Sequence, residues 1–238
     1  MSVTLIMLSA LLYSLYYYMY KDTNEMLTWF LMSAAFLPFN VLVVTFIIEG
    51  IISERDKLVM LKKLNMVIGV FYSEVGTNLL RLLSSFNTDT RQFSQDLIFS
   101  SKWTPQEFNA AVKKVKSYEC KIDSRAGNLD ELRVFLSSKR DFLLRLLENP
   151  NLLEHETFTD LMWAVFHLND ELFNRTHLAG LHEADYHHLA NDIKRVYSLL
   201  LTEWLTYMKH LKIDYPYIYS LAVRTNPFDP AASVEIIE

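Results

Sequence analysis

The stretch Leu27–Val75 decides the fold of this chain. It begins with an uncharged apolar run, LTWFLMSAAFLPFNVLVVTFII (27–48), and continues into a charged amphipathic pattern, ERDKLVMLKKLNMVIGVFYSEV (54–75). About 22 uncharged residues rise about 33 Å as an α-helix, which is enough to cross the hydrocarbon core of a bilayer. The sequence therefore predicts a membrane-spanning helix that leads almost directly into a soluble helix.

A second apolar run, VTLIMLSALLYSLYYYMY (3–20), lies before this one. A cleaved signal peptide needs a basic segment ahead of its apolar core, and none is present, so we expect an uncleaved membrane helix. The connection Lys21–Glu25 is short enough only for the tip of a helical hairpin. This connection carries one lysine, whereas four basic residues follow the apolar run 27–48: Arg55, Lys57, Lys62 and Lys63. This asymmetry predicts a protein of the inner cell membrane whose C-terminal domain is cytoplasmic.

The composition limits which kinds of domain, partner and binding site the rest of the chain can have. The 238 residues provide for one hairpin and one soluble domain of about 170–180 residues. The net charge of −5, with basic and acidic residues interspersed, argues against nucleic acid as a partner. The single cysteine, Cys120, excludes an internal disulfide framework, and five glycines in the whole chain leave no glycine-rich phosphate loop.

Low glycine content and leucine-rich helical periodicity predict an all-α protein. The predicted architecture is an N-terminal two-helix transmembrane hairpin followed by a cytoplasmic helical bundle. Its divisions are a hairpin at 1–50 with helices at about 3–20 and 27–48, a junction amphipathic helix at 51–86, a helical bundle at 87–228 and a tail at 229–238. Helix starts are expected at Thr104, at Asn128 and at Thr157, which has Asp160 three residues later.

Two features point to contacts between helices. The residues Leu61, Leu64, Ile68, Phe71 and Val75, here called the heptad face, step by three and four as in a coiled coil. Over two heptads the pattern fits either a coiled coil with a second copy or burial against the protein's own domain. Asn40, in the middle of the apolar run 27–48, bonds within the hairpin, joins a homo-oligomer or lines a polar pore. All six residues are candidate interaction sites.

The histidines suggest a metal site as an alternative chemistry. All seven follow residue 154, and the candidate ligands are His167, His182, Asp185, His187 and His188. Imidazole and carboxylate ligands suit zinc or iron. The Glu-x-x-His motifs of ferritin-like bundles are absent, and surface or helix-capping histidines are the competing interpretation. No catalytic residue and no cofactor is assigned.

Four segments resemble one family: LPFNVLVVTFIIE (37–49), KKLNMVIGVFYSEVGTNLLR (62–81), ENPNLLEHETFTDLMWAVFHLNDEL (148–172) and YMKHLKIDYPYIYSLAVRTNPFD (207–229). Together they resemble a group of uncharacterised prokaryotic proteins with an N-terminal membrane segment and a helical cytoplasmic domain. The resemblance extends from Leu37 to Asp229 and implies topology but no activity.

The sequence supports three hypotheses about function. The first is a non-enzymatic membrane-anchored protein whose helical domain binds an unknown protein partner or relays a state to or from the membrane. It follows from the short connection between membrane and domain and from missing catalytic motifs. The second is a metal-dependent enzyme that uses the His/Asp group. The third, an oligomeric membrane channel, has less support because the hairpin lacks a polar face.

Overall fold

The computed structural model describes residues 2–21, 23–89, 95–153 and 155–235. Of the described residues, 77% are helical. Within the described ranges the β pairing is an isolated bridge between Asn87 and Ile122, and the all-α prediction is confirmed. The chain divides into two units, Met1–Val59 and Met60–Glu238. The sequence-based division differs, because it set 51–86 apart as a junction, whereas residues from Met60 onward pack within the second unit. The last three residues of the predicted tail lie outside the described ranges.

The first unit is a helical hairpin. Helix α1 (Ser2–Tyr20) is followed by α2 (Thr23–Phe71), and Lys21 between them has a left-handed φ of 51°. The two helices contact each other where the rings of Tyr13 and Phe30 meet edge to face, with centroids 6.1 Å apart.

Helix α2 passes without interruption through Pro38 and the first charged residues, where a separate junction helix was expected. Its segment Thr23–Ile52 is long and apolar enough to cross a membrane, and its apolar side chains are exposed. The segment Val59–Ser84 passes the same length and composition test, but nearly half of it is buried. Asn40 lies exposed on α2 within the first of these segments.

The heptad face packs into the second unit. Leu64, Ile68, Phe71 and Val75 are all buried in the core, whereas Leu61 is 44% exposed. The ring of Phe71 meets that of Phe158 edge to face, with centroids 5.2 Å apart. Four of the five residues are therefore buried against the protein's own domain. These four offer no free surface to a second copy.

A π-helical segment, Tyr72–Gly76, links α2 to α3 (Thr77–Ser84). A π turn adds a residue to the helical repeat and so rotates the buried face. Here it accommodates the buried Tyr72, whose hydroxyl donates to the backbone carbonyl of Leu200 at 2.9 Å. The ring of Tyr72 also stacks on Tyr207, with centroids 5.3 Å apart.

The other described helices belong to the second unit, and several of them pack against its longest helix. In chain order they are α4 (Pro105–Ser117), α5 (Leu129–Leu147), α6 (Pro150–Leu153), α7 (Glu156–Phe173), α8 (Glu183–Asp214) and α9 (Pro216–Arg224). The 32 residues of α8 extend about 48 Å. This helix packs against α3, α4, α7 and α9, and its Tyr197 and Trp204 are almost fully buried. The pairing of α7 with α8 positions the candidate site.

Local capping chemistry determines several of these starts. The backbone N–H of Glu107 donates to Thr104 Oγ1, and the Glu107 carboxylate accepts from the Thr104 N–H. This capping box confirms the predicted helix start at Thr104. The predicted cap at Asn128 is also confirmed. The expected start at Thr157 is wrong, because α7 begins at Glu156 and His155 Nδ1 accepts from the Phe158 N–H at 3.2 Å.

Candidate metal site

Helices α7 and α8 each carry a histidine and a carboxylate four residues apart. On α7 these are His167 and Glu171, and on α8 they are His188 and Asp192. Residues four apart lie on the same face of a helix, one turn above the other. Because α7 and α8 are packed neighbours, the two pairs form one four-residue cluster.

Both imidazole rings direct Nε2 toward the two carboxylates. Asp192 Oδ2 lies 3.5 Å from His167 Nε2 and 3.3 Å from His188 Nε2. Glu171 Oε2 lies 3.4 Å from His188 Nε2, and Glu171 Oε1 lies 4.0 Å from His167 Nε2. Zinc–ligand bonds of about 2.0–2.1 Å in a tetrahedron place neighbouring ligand atoms about 3.3–3.4 Å apart. The shorter distances therefore have the size of the edges of a tetrahedral metal site.

Asp192 is the least solvated member of the cluster. Its side chain is 5% exposed, and Oδ2 is buried with no hydrogen-bond partner among the described residues. Arg195, the nearest guanidinium, is 3.9 Å from the other oxygen and is largely exposed. Burying a carboxylate is costly unless a cation or hydrogen-bond donors compensate it. A metal ion between Asp192 Oδ2 and the two imidazoles would supply that compensation.

Glu171 has a different environment. Its Oε2 accepts a 2.6 Å hydrogen bond from Arg175 Nη1, and this bond lowers the pKa of the Glu171 carboxyl, so the group is ionised. Arg175 also donates to the Glu171 backbone carbonyl at 2.6 Å and to Asp185 at 3.2 Å. The arginine thus holds Glu171 in place at one side of the cluster.

Comparison with known proteins places the chain in a family. Two family profiles match it: "MJ1433, N-terminal helical domain" over residues 1–52 and "Uncharacterized protein MJ1433, C-terminal helical domain" over residues 60–224. The chain belongs to the MJ1433 family. It is 44% identical to uncharacterized protein MJ1433 of Methanocaldococcus jannaschii over 228 residues, which cover 96% of this chain and 92% of the relative. No solved structure matches the chain.

The resemblance to an uncharacterised prokaryotic family is thus confirmed. The boundary between the two units, after Val59, falls between the two matched domains of the MJ1433 family. The whole four-residue cluster lies inside the C-terminal domain of the family.

The structure brings together two of the five ligand candidates from the sequence, His167 and His188. His182 instead caps α8, with Nδ1 accepting from the Ala184 N–H at 3.3 Å. Asp185 pairs with Arg175. His187 lines a separate groove together with Arg125, Glu183 and Tyr186. Adjacent residues of a helix point about 100° apart, so His187 and His188 cannot share one site.

Sequence reasoning missed Glu171 and Asp192. Both were visible as His-x-x-x-Glu (167–171) and His-x-x-x-Asp (188–192), two matching spacings on consecutive predicted helices. The Glu-x-x-His motif has the carboxylate first and the histidine three positions later, so it does not match either pair. A spacing of four with the histidine first gives the same helix face.

Proposed function

We propose that this member of the MJ1433 family is a membrane-anchored protein whose helical domain binds a divalent transition-metal ion at the four-residue cluster. The observation that carries the proposal is the buried Asp192 Oδ2, which has no hydrogen-bond partner in the described part of the chain and faces two imidazole nitrogens at 3.3 and 3.5 Å. Imidazole and carboxylate donors at these separations suit zinc or ferrous iron.

The anchoring part of the proposal rests on the first unit. The side chains of Trp29, Phe39 and Phe46 point outward and are more than half exposed, on a helix that is apolar on all sides. A helix of this kind is stable in lipid and poorly soluble in water. The count of one lysine at the tip against four basic residues after α2's apolar segment supports a cytoplasmic second unit.

The structure gives little support to the hypothesis that a partner binds the heptad face. Leu64, Ile68, Phe71 and Val75 have their partners within the same chain, and only Leu61 has a substantial exposed fraction. A homo-oligomer or a protein partner that uses another surface stays a prediction, as does the channel.

Metal binding is tested on the full chain purified in detergent. After treatment with a chelator, the protein is dialysed against Zn²⁺ and its metal content is measured by elemental analysis. We expect one Zn²⁺ per chain, and we expect His188→Ala to lose it while His187→Ala, the change at the neighbouring residue, keeps it. Equal zinc content in the two variants, or none in the wild type, would refute the metal site.

Zinc should also stabilise the fold. A metal that binds only the folded state at a free concentration 100 times its Kd adds about 2.7 kcal/mol to the free energy of unfolding. For a unit of this size that corresponds to a rise in Tm of about 5–11 °C. His188→Ala should remove the zinc-dependent rise, whereas the Tm of His187→Ala should still respond.

A further inference from the structure

The two carboxylates of the cluster differ in how free they are to bind a metal. Glu171 Oε2 is engaged by Arg175 Nη1 at 2.6 Å, and that arginine is itself only 19% exposed and held by Asp185. Among the residues that the structure describes, Asp192 Oδ2 accepts no hydrogen bond, and its nearest basic groups are the two imidazoles of the cluster. The negative charge of Glu171 is already compensated by Arg175, so a metal ion would gain less by bonding to it.

The distances make the same distinction. Asp192 Oδ2 lies within 3.5 Å of both imidazole nitrogens, close to the edge of about 3.3–3.4 Å expected for a tetrahedral site. Glu171 reaches a comparable distance only to His188, because its nearest approach to His167 is 4.0 Å. Glu171 therefore lies farther from His167 than Asp192 does, although its ligand atom and those of the two histidines lie within 4.8 Å of one another.

The cluster also opens to solvent on the histidine side. The side chains of His167 and His188 are 46% and 50% exposed, whereas those of Glu171 and Asp192 are 26% and 5% exposed. A small molecule can therefore approach the metal position past the two imidazoles. A structural site in which four protein ligands enclose the metal does not need access for a small molecule.

We infer that three residues ligate the metal, His167, His188 and Asp192, and that Glu171 lies outside the coordination sphere beside a fourth, exchangeable position. This inference rests on the proposed function. The fourth position takes water or a small anion, and the Glu171 carboxylate accepts a hydrogen bond from that water. Three protein ligands and an open position are the arrangement of catalytic rather than structural zinc sites. Arg175 is a positioning residue, because its ion pair keeps Glu171 off the metal.

The test uses Co²⁺ as the probe metal and azide as the exogenous ligand, on the full chain in detergent. The visible absorption of bound Co²⁺ reports its coordination, so we expect azide to change the spectrum of the wild type. In Glu171→Gln, Co²⁺ affinity should fall by less than about 100-fold, as for a residue in an outer shell, and azide should still bind. Asp192→Asn should lose more affinity than that.

Arg175→Met gives a second test with the opposite sign. The freed Glu171 can then complete the ligand set, so azide binding should weaken while Co²⁺ affinity is kept or improved. The inference is overturned if azide leaves the wild-type spectrum unchanged, or if Glu171→Gln loses Co²⁺ as completely as Asp192→Asn. A wild type that binds neither Co²⁺ nor Zn²⁺ would instead refute the proposed function itself. Far-ultraviolet circular dichroism of each variant verifies that it is folded.

Discussion

Replacing Phe71 by alanine tests whether the heptad face belongs to the protein's own core. The side chain is fully buried, and its ring contacts those of Tyr72 and Phe158 edge to face, both with centroids 5.2 Å away. Removing a buried phenylalanine ring costs about 3–5 kcal/mol, because transfer free energy is lost and a cavity remains. Leu61→Ala is the matched control on the same helix face, since Leu61 is 44% exposed.

The size of the effect follows from the size of the unit. For a domain of 150–250 residues, each 1 kcal/mol lowers Tm by about 2–4 °C, so Phe71→Ala should lower it by about 6–20 °C. Leu61→Ala should change the free energy of unfolding by no more than about 0.5 kcal/mol. Both are measured by circular dichroism melts of the full chain in a mild detergent.

Light scattering on the same samples separates the two uses of the heptad face. If these residues pack within the chain, neither variant changes the molar mass of the folded protein. A wild-type oligomer that dissociates in both Leu61→Ala and Phe71→Ala, with an unchanged Tm in the latter, would refute core packing and support the coiled coil.

Three further predictions concern single contacts and topology. Gly69→Ala should destabilise the second unit by about 1–3 kcal/mol, because its Cβ would lie 2.7 Å from the Tyr207 hydroxyl, and adding Tyr207→Phe should restore most of the Tm. Thr104→Ala should cost about 1 kcal/mol in chemical unfolding, because the capping box of α4 is lost. An impermeant maleimide on intact cells should label Thr23→Cys and leave Ser233→Cys unlabelled, and the reverse pattern would overturn the cytoplasmic orientation.

Features that depend on neighbouring residues were predictable from the sequence. Thr104 and Asn128 cap their helices through hydrogen bonds to residues three positions later, so the letters of a short segment contain the whole interaction. The membrane-length apolar segment of α2 was likewise visible from composition alone, although the helix itself continues to Phe71. The start of α7 was mistaken because His155, a less common cap, competed successfully with Thr157.

Only the tertiary structure decided what the heptad face packs against. A three-and-four spacing specifies that one side of a helix is apolar, and any apolar partner can cover it. Phe158, 87 positions after Phe71, is the partner in this chain. Burial against the same chain needs no second molecule. It is therefore favoured over a coiled coil with a second copy wherever the domain offers a complementary surface.

The candidate site also could not be predicted in full from the sequence. The sequence by itself determined that His167 and Glu171 share one helix face and that His188 and Asp192 share another, because a spacing of four depends only on helical geometry. Only the packing of α7 on α8 decided that these faces meet and that Asp192 is buried. The distances between ligand atoms on the two helices join residues 17 to 25 positions apart, so they are set only once the helices have packed.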